Sequence, residues 1–272
     1  MKLITILKKA CVVASIGFAA NATGGTTTWE WQLNAGAGSN GSSNLSSTGT
    51  NTDNATTLNA DLSAWADTNN HNDEGIESAG FYYYSGNGWG IVNQDEDRND
   101  YPGHAFDNKD EGDGRDYDMA LVSFDTSVEL TSINFGWIYN DADFTVLAFS
   151  GANINTTSRS TWSDVATSGD WITVGNYDAN STGYYSINQG DISQGKISSQ
   201  YWLVGAYNSI FGNTLNDEGS LGTGAIDAFK IKGFKGNTTT TPPTDVPAPS
   251  AFGLLLVGAL GLYARRTKKT AK

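Results

Sequence analysis

Between positions 95 and 118 the chain reads DEDRNDYPGHAFDNKDEGDGRDYD, ten acids against three bases. Carboxylates this dense lie within a Debye length of one another, roughly 8 Å, and repel unless something neutralises them. Calcium is the natural neutraliser, because it takes about six to eight hard oxygens from a compliant, glycine-containing loop. On that reading Asp107, Asp110, Asp113, Asp116 and Asp118 are the candidate ligands. The stretch is not an EF-hand loop, since Lys109 stands where a ligand belongs between Asp107 and Glu111. The same composition also describes a solvated acidic loop that binds nothing, and the residues leave both readings open. Asp141 and Asp143 form a second acidic pair at a strand entrance, suited to ligation or to capping a turn.

Within the same stretch, HAFDN places His104, Asp107 and Asn108 together in a motif whose role the sequence does not assign. A lone histidine between strands more often fastens a loop by hydrogen bonds than acts as a base. With His71 and His104 the only histidines, a two-histidine zinc site is not expected. Glycoside hydrolysis needs two carboxylates across a cleft, and Glu111-x-Asp113-x-x-Asp116 comes close to a strand-borne acidic triplet. Gly112 and Gly114 would break the strand that such a triplet needs. No catalytic residue is therefore assigned, and the chain is not read as an enzyme. Tyr82, Tyr83, Tyr84, Trp89, Trp162, Trp171, Tyr184 and Tyr185 are aromatics that could stack on sugar rings or simply fill a core.

The elements that must carry these residues read as β throughout. Short apolar or alternating runs fall at 60–66, 80–84, 89–93, 119–124, 128–139, 144–149, 201–207 and 225–234, with turn residues between them. Glycine is abundant (32 residues), proline scarce (5), and no body segment keeps a 3.6-residue period. Eight or more strands at this spacing predict an all-β fold: an antiparallel two-sheet sandwich, jelly-roll-like. Residues 34–57, rich in Gly, Ser, Asn and Thr, read as a flexible surface loop.

The two ends differ from the body. Lys2, Lys8 and Lys9 precede an apolar run at 10–20, and Ala20-Asn21-Ala22 has the small-x-small form cut by signal peptidase, so residues 1–22 read as a signal peptide. The single cysteine, Cys11, lies inside that segment, so the mature chain is expected to lack disulfides, thiolate metal sites and a cysteine nucleophile. Residues 23–246 hold 8 bases against all 29 acids. Such a surface repels nucleic acid and favours divalent cations or neutral polymers such as glycans.

Past a Thr/Pro linker at 237–245, residues 246–264 carry no charge, and 251–264 form an apolar run followed by Arg265 and Arg266. The run is expected to be a transmembrane helix, its orientation set by the basic end. Val246, Pro247, Pro249 and Ser250, then the helix, then Arg265-Arg266 resemble the PEP-CTERM sorting tail acted on by exosortases in Gram-negative bacteria. Ala248 departs from the commonest form, which has Glu there. Body segments GNGWGIVNQDED (86–97), PGHAFDN (102–108), GWIYNDADFTVLAFSG (136–151), YWLVGAYNSIFG (201–212) and DAFKIKGF (227–234) resemble a group of exosortase-dependent surface proteins.

The resemblance implies export through signal peptidase and an exosortase, transient anchoring in the inner membrane, then release to the cell surface or exopolysaccharide matrix. Together the residues divide the chain into a signal peptide (1–22), a β-sandwich ectodomain (23–236), a linker (237–245) and a sorting tail (246–272). The expected function is a structural or adhesive one at the surface or in the matrix of a biofilm. The alternative is a calcium-dependent carbohydrate-binding module, with extracellular polysaccharide as partner and no cofactor other than calcium.

Overall fold

The computed structural model describes residues 24–51, 56–67, 75–94, 96, 102–109, 115–140, 142–152, 154, 161–190, 195–212 and 226–240. The chain divides into two compact units, Thr26–Thr238 and the combined termini Met1–Gly25 and Thr239–Lys272. In the second unit the Thr240 amide donates to the Gly25 carbonyl at 3.0 Å and the Gly25 amide to Thr240 Oγ1 at 3.1 Å. The signal segment, the sorting motif from Val246 to Ser250, Arg265, Arg266 and the expected helix at 251–264 lie outside the described residues. Among the described residues no helix is long and apolar enough to cross a membrane.

The first unit is all-β and mostly antiparallel, consistent with a sandwich. Its early strands are β1 (Thr26–Gln32), β2 (Asn44–Asn51), β3 (Leu58–Asp67), β4 (Ile76–Ser78), β5 (Gly80–Tyr84), β6 (Gly88–Val92) and β7 (Phe106–Asp107). They are followed by β8 (Asp118–Asn140), β9 (Asp143–Phe149), β10 (Trp171–Asp178), β11 (Gly183–Ser186), β12 (Ser199–Ala206) and β13 (Asp227–Thr239). One ladder runs β10-β9-β12-β8-β3-β2, with β4 beside β3. The other joins β11, β8 and β13, and places β7, β6 and β1 along β13, with β5 on β6. The two ladders are continuous because β8 and β2 take part in both. The first part of β8 pairs with β3 and β12, and its later part with β13 and β11.

Alternation explains most of the strands. In β3 the residues Leu58, Ala60, Leu62, Ala64 and Ala66 are buried while their neighbours are not. In the first part of β8, Met119, Ala120, Leu121 and Val122 are buried on both faces. Ala120 and Val122 face the main core with Trp31, Phe124, Phe144, Trp202 and Phe229. Met119 and Leu121 face a second cluster with Leu147, Trp162, Leu203 and Phe211. That second cluster is covered by α1 (Trp162–Thr167), which starts at a capping box between Thr161 and Asp164, and by a single 3-10 turn at Ser209–Phe211.

Three expectations are corrected. The Gly/Ser/Asn/Thr stretch at 34–57 is not simply a loop: it contains a 3-10 turn (Ala35–Ala37) and the eight-residue β2. Its inward positions are Leu45, Ser47 and Gly49, the last without a side chain because the Trp31 indole lies against it and donates to the Leu58 carbonyl at 2.8 Å. The runs at 119–124 and 128–139 form one strand rather than two. Finally, β13 continues through Thr239, beyond the expected start of the linker at 237, with Thr28 donating to Asn237 and the Trp29 indole to Thr238.

One close approach ties β6 to the segment that carries the candidate site. A β-carbon on Gly90 would overlap the His104 carbonyl and crowd the Ala105 backbone. Gly90→Ala is therefore expected to destabilise the protein by about 1–3 kcal/mol or more, the cost of overpacking against rigid backbone. Calorimetry that found an unchanged midpoint would show that the 103–105 segment yields freely.

Candidate functional site

The acidic stretch folds inward. Asp107, Asn108, Asp116 and Asp118 are all buried, as are His104 and the side chain of Glu96. Asp110 and Asp113 lie outside the described residues. The short strand β7 places Asp107 opposite Ala228 of β13, and Asp118 opens β8 beside it. The Asp107 amide donates to Asp118 Oδ2 at 3.2 Å, and Asp107 Oδ1 accepts from the Lys109 amide at 3.1 Å. Asp116 Oδ2 accepts from Asn93 Nδ2 at 3.3 Å.

Asn108 is a staple. Its amide and side-chain oxygen bond the Asp227 backbone in both directions, at 3.3 and 3.0 Å, and its Nδ2 donates to the Asp227 carboxylate and the Tyr207 carbonyl. Asp227 Oδ1 in turn accepts from the Asp143 amide. Hydrogen bonds contribute about 0.5–1.5 kcal/mol each, and a buried group left without its partner costs about 1–3 kcal/mol, so this knot holds β9, β13 and the 107–109 segment in register.

His104 has a positive φ of 58°. Its amide donates to Glu96 Oε1 at 2.6 Å, its Nδ1 stands 3.5 Å from the same oxygen, and its ring lies 4.7 Å from Tyr82. The His104 carbonyl accepts from Lys230 Nζ at 2.7 Å, and the Gly103 carbonyl from the same ammonium at 3.3 Å. These contacts make His104 a fastener of its loop. Lys230 is itself buried, with its ammonium 4.6 Å from the Tyr84 ring centroid and 4.5 Å from that of Trp137. Burial pulls its pKa down to about 8, against the opposing pull of Asp107 and Glu96.

Asp118 is under electrostatic tension. Burial first, then the nearby charges of Asp107 and Glu96, push its carboxyl well above the usual range, while the Asp107 amide pulls the other way. Its Oδ1 is buried with no hydrogen-bond partner among the described residues. Among the described residues no group of three His, Cys, Asp or Glu side chains lies close enough to hold a metal ion. The structure thus places Asp107 and Asp118 side by side and Asp116 on Asn93, without gathering the three on one point.

Sequence reasoning missed Asn93, Glu96, Asp227 and Lys230 as members of this cluster. Lys230 reads as an outward residue in the alternation of DAFKIKGF, and only the loop and rings that cover it bury it. The aromatics divide as well: Trp89 and Trp162 are core, whereas Tyr84 and Tyr184 are exposed.

A protonated Asp118 is favoured in the folded chain. The stability gained from that proton is complete below the ordinary Asp range, about pH 4, and is lost as pH rises through the raised folded value. In EDTA, Asp118→Asn is therefore expected to raise the thermal midpoint at pH 7, with the gain vanishing below about pH 4. If a cation rests on this carboxylate, calcium reverses the order, because Asn is the poorer ligand. Circular-dichroism melts across pH with EDTA or calcium check both; equal destabilisation at every pH would show that shape, not charge, governs this position.

Comparison with protein-family models, with characterised proteins and with solved structures finds no match to this chain.

Proposed function

We propose that the chain is an exported, exosortase-processed protein of the cell surface or extracellular matrix, with a structural or adhesive role and no enzymatic activity. The observation that carries this reading is the order of elements in the tail: Val246-Pro247-x-Pro249-Ser250, an uncharged apolar run, then Arg265-Arg266. The rest of the chain supports it. A signal-like N-terminus, a body rich in strands, and a strong excess of acids over bases suit a secreted polypeptide that meets neutral polymers rather than nucleic acid. We read the two ladders joined by β8 and β2 as the layers of a jelly-roll-like sandwich. Signal peptidase, an exosortase and transiently the inner membrane are then the partners of export.

The form recovered from the matrix is expected to begin near Thr23 and to lack the basic terminus, with the cut near Pro249-Ser250. Mass spectrometry of matrix protein checks this, and intact peptides running through Arg265 would refute it.

A second reading, a calcium-dependent carbohydrate-binding module, is favoured by the buried Asp118 oxygen beside Asp107. A divalent cation would relieve that tension, with Asp110, Asp113 and Asp116 as further candidate ligands. Calcium should then raise the melting midpoint of the full chain far more than magnesium or matched sodium chloride does. At a hundredfold excess over Kd the gain is about 2.7 kcal/mol, and identical midpoints in all three salts would leave an acidic segment without a bound ion.

A further inference from the structure

β1 and β2 are paired at Trp29↔Asn51 and Glu30↔Thr50, and then part company. From Asn44 to Gly49, β2 pairs with β3, while the chain stays beside β13 as it leaves β1, the Leu33 amide donating to the Lys232 carbonyl at 2.8 Å. The splay opens a groove of about 470 Å³, within the range of roughly 300–1,000 Å³ usual for small-ligand clefts. Its walls carry Glu30, Gln32 and Asn34 on one side and Ser46, Thr48 and Thr50 on the other. Apart from Asn34, which caps the 3-10 turn after β1, these are the outward residues of strands whose inward positions hold Trp29, Trp31 and Leu45 in the core. The walls are tied together: Ser47 Oγ donates to the Gln32 carbonyl at 2.9 Å and Thr50 Oγ1 to the Glu30 carbonyl at 3.3 Å.

One end of the groove is built around Glu30. Tyr184 OH and Gln32 Nε2 donate to Glu30 Oε1 at 2.7 and 2.8 Å, and Lys235 Nζ stands 3.6 Å from Oε2. The same ammonium lies 3.9 Å from the Tyr184 ring centroid, so the ring is held in place although the residue is 40% exposed. The Tyr184 phenol above all, then Gln32 and Lys235, keep the Glu30 carboxyl below its usual range, against the opposing effect of partial burial. Glu30 thus remains an acceptor into mildly acid solution.

We propose that this groove binds a neutral oligosaccharide segment of an extracellular polysaccharide, with Glu30, held in place by Tyr184, and the wall hydroxyls and amides meeting sugar hydroxyls. Hydroxyl and amide side chains both donate and accept, which matches a ligand whose hydroxyls do the same in close succession. A polyanion is disfavoured by Glu30 and by the excess of acids over the body. A free cation is disfavoured because Lys235 already faces the one carboxylate of the groove. A peptide is disfavoured because Ala37 is the one apolar side chain of the lining, leaving no pocket for an anchor residue.

The proposal deepens the adhesive reading and rests on it, yet the two fail separately: surface location is measured on cells, and glycan binding on the purified chain. The full 272-residue chain, in detergent, is titrated calorimetrically with cellohexaose, maltohexaose, laminarihexaose and mannohexaose, with hexagalacturonate as the anionic arm. At least one neutral hexasaccharide is expected to bind. Ser46→Trp, which fills the groove, and Glu30→Gln, which keeps its shape, should each weaken that binding about tenfold or more. Glu77→Gln on β4, away from the groove, should bind as the unaltered chain does, and circular dichroism should show all three variants folded. The proposal is overturned if no neutral hexasaccharide binds, if hexagalacturonate binds in their place, or if binding survives Ser46→Trp unchanged.

Discussion

Twenty-three consecutive residues of β8, Asp118–Asn140, run through both ladders of the sheet, and most of the molecule is placed by what pairs along them. Near its start the strand is flanked by β3 and β12, and further on by β13 and β11. A strand shared in this way must satisfy two hydrogen-bond registers with one backbone. It does so by bulging: opposite Ser199–Tyr201 of β12, Lys230–Ile231 and Lys235–Gly236 of β13 the extra residues belong to β8, and only between Ile231 and Gly233 does β13 carry one. Its first part is also apolar on both faces, because it is sandwiched between the main core and the cluster beneath α1.

The same strand begins at the polar cluster, and this couples fold to site. Asp118 is its first residue, Asp107 bonds to it, and Asn108 carries the connection on to Asp227 at the start of β13. The cluster gathers Asp107, Asp116, Asp118 and Asp227 with one buried ammonium, Lys230, beside it. A chain whose single cysteine is Cys11 has no disulfide to hold these segments, so hydrogen bonds to buried carboxylates do that work. They are costly to desolvate and correspondingly costly to break on one side alone. Asp118, buried beside Asp107 and with Oδ1 lacking a hydrogen-bond partner among the described residues, is a position where charge, proton and cation should compete.

The groove between β1 and β2 comes from a different constraint. Trp31 must reach under β2 to the Leu58 carbonyl, and β2 accommodates it with Gly49. The two strands separate past the Glu30–Thr50 pair, toward Gln32 and Thr48, and their outward polar residues face a common space. The core therefore shapes the surface that the adhesive reading needs.

The sequence by itself determined the fold class, through runs such as 80–84, 144–149 and 201–207 that reappear as β5, β9 and β12, because strict alternation or a short apolar run between turn residues leaves the backbone little else to form. It also singled out HAFDN and the acids at 107, 116 and 118, since charge density is a local property. It did not show β2, where Gly49 is required by Trp31, eighteen positions earlier in the chain. Nor did it show Lys230 and Asp227 beside the acids, because 119 residues separate Asn108 from Asp227 and no local pattern marks their contact. Which polar residues end up buried, and which strands part to leave a groove, was decided only by tertiary pairing: burial depends on what another segment covers, and hydrogen-bond partners far apart in the chain carry no periodic signal of each other.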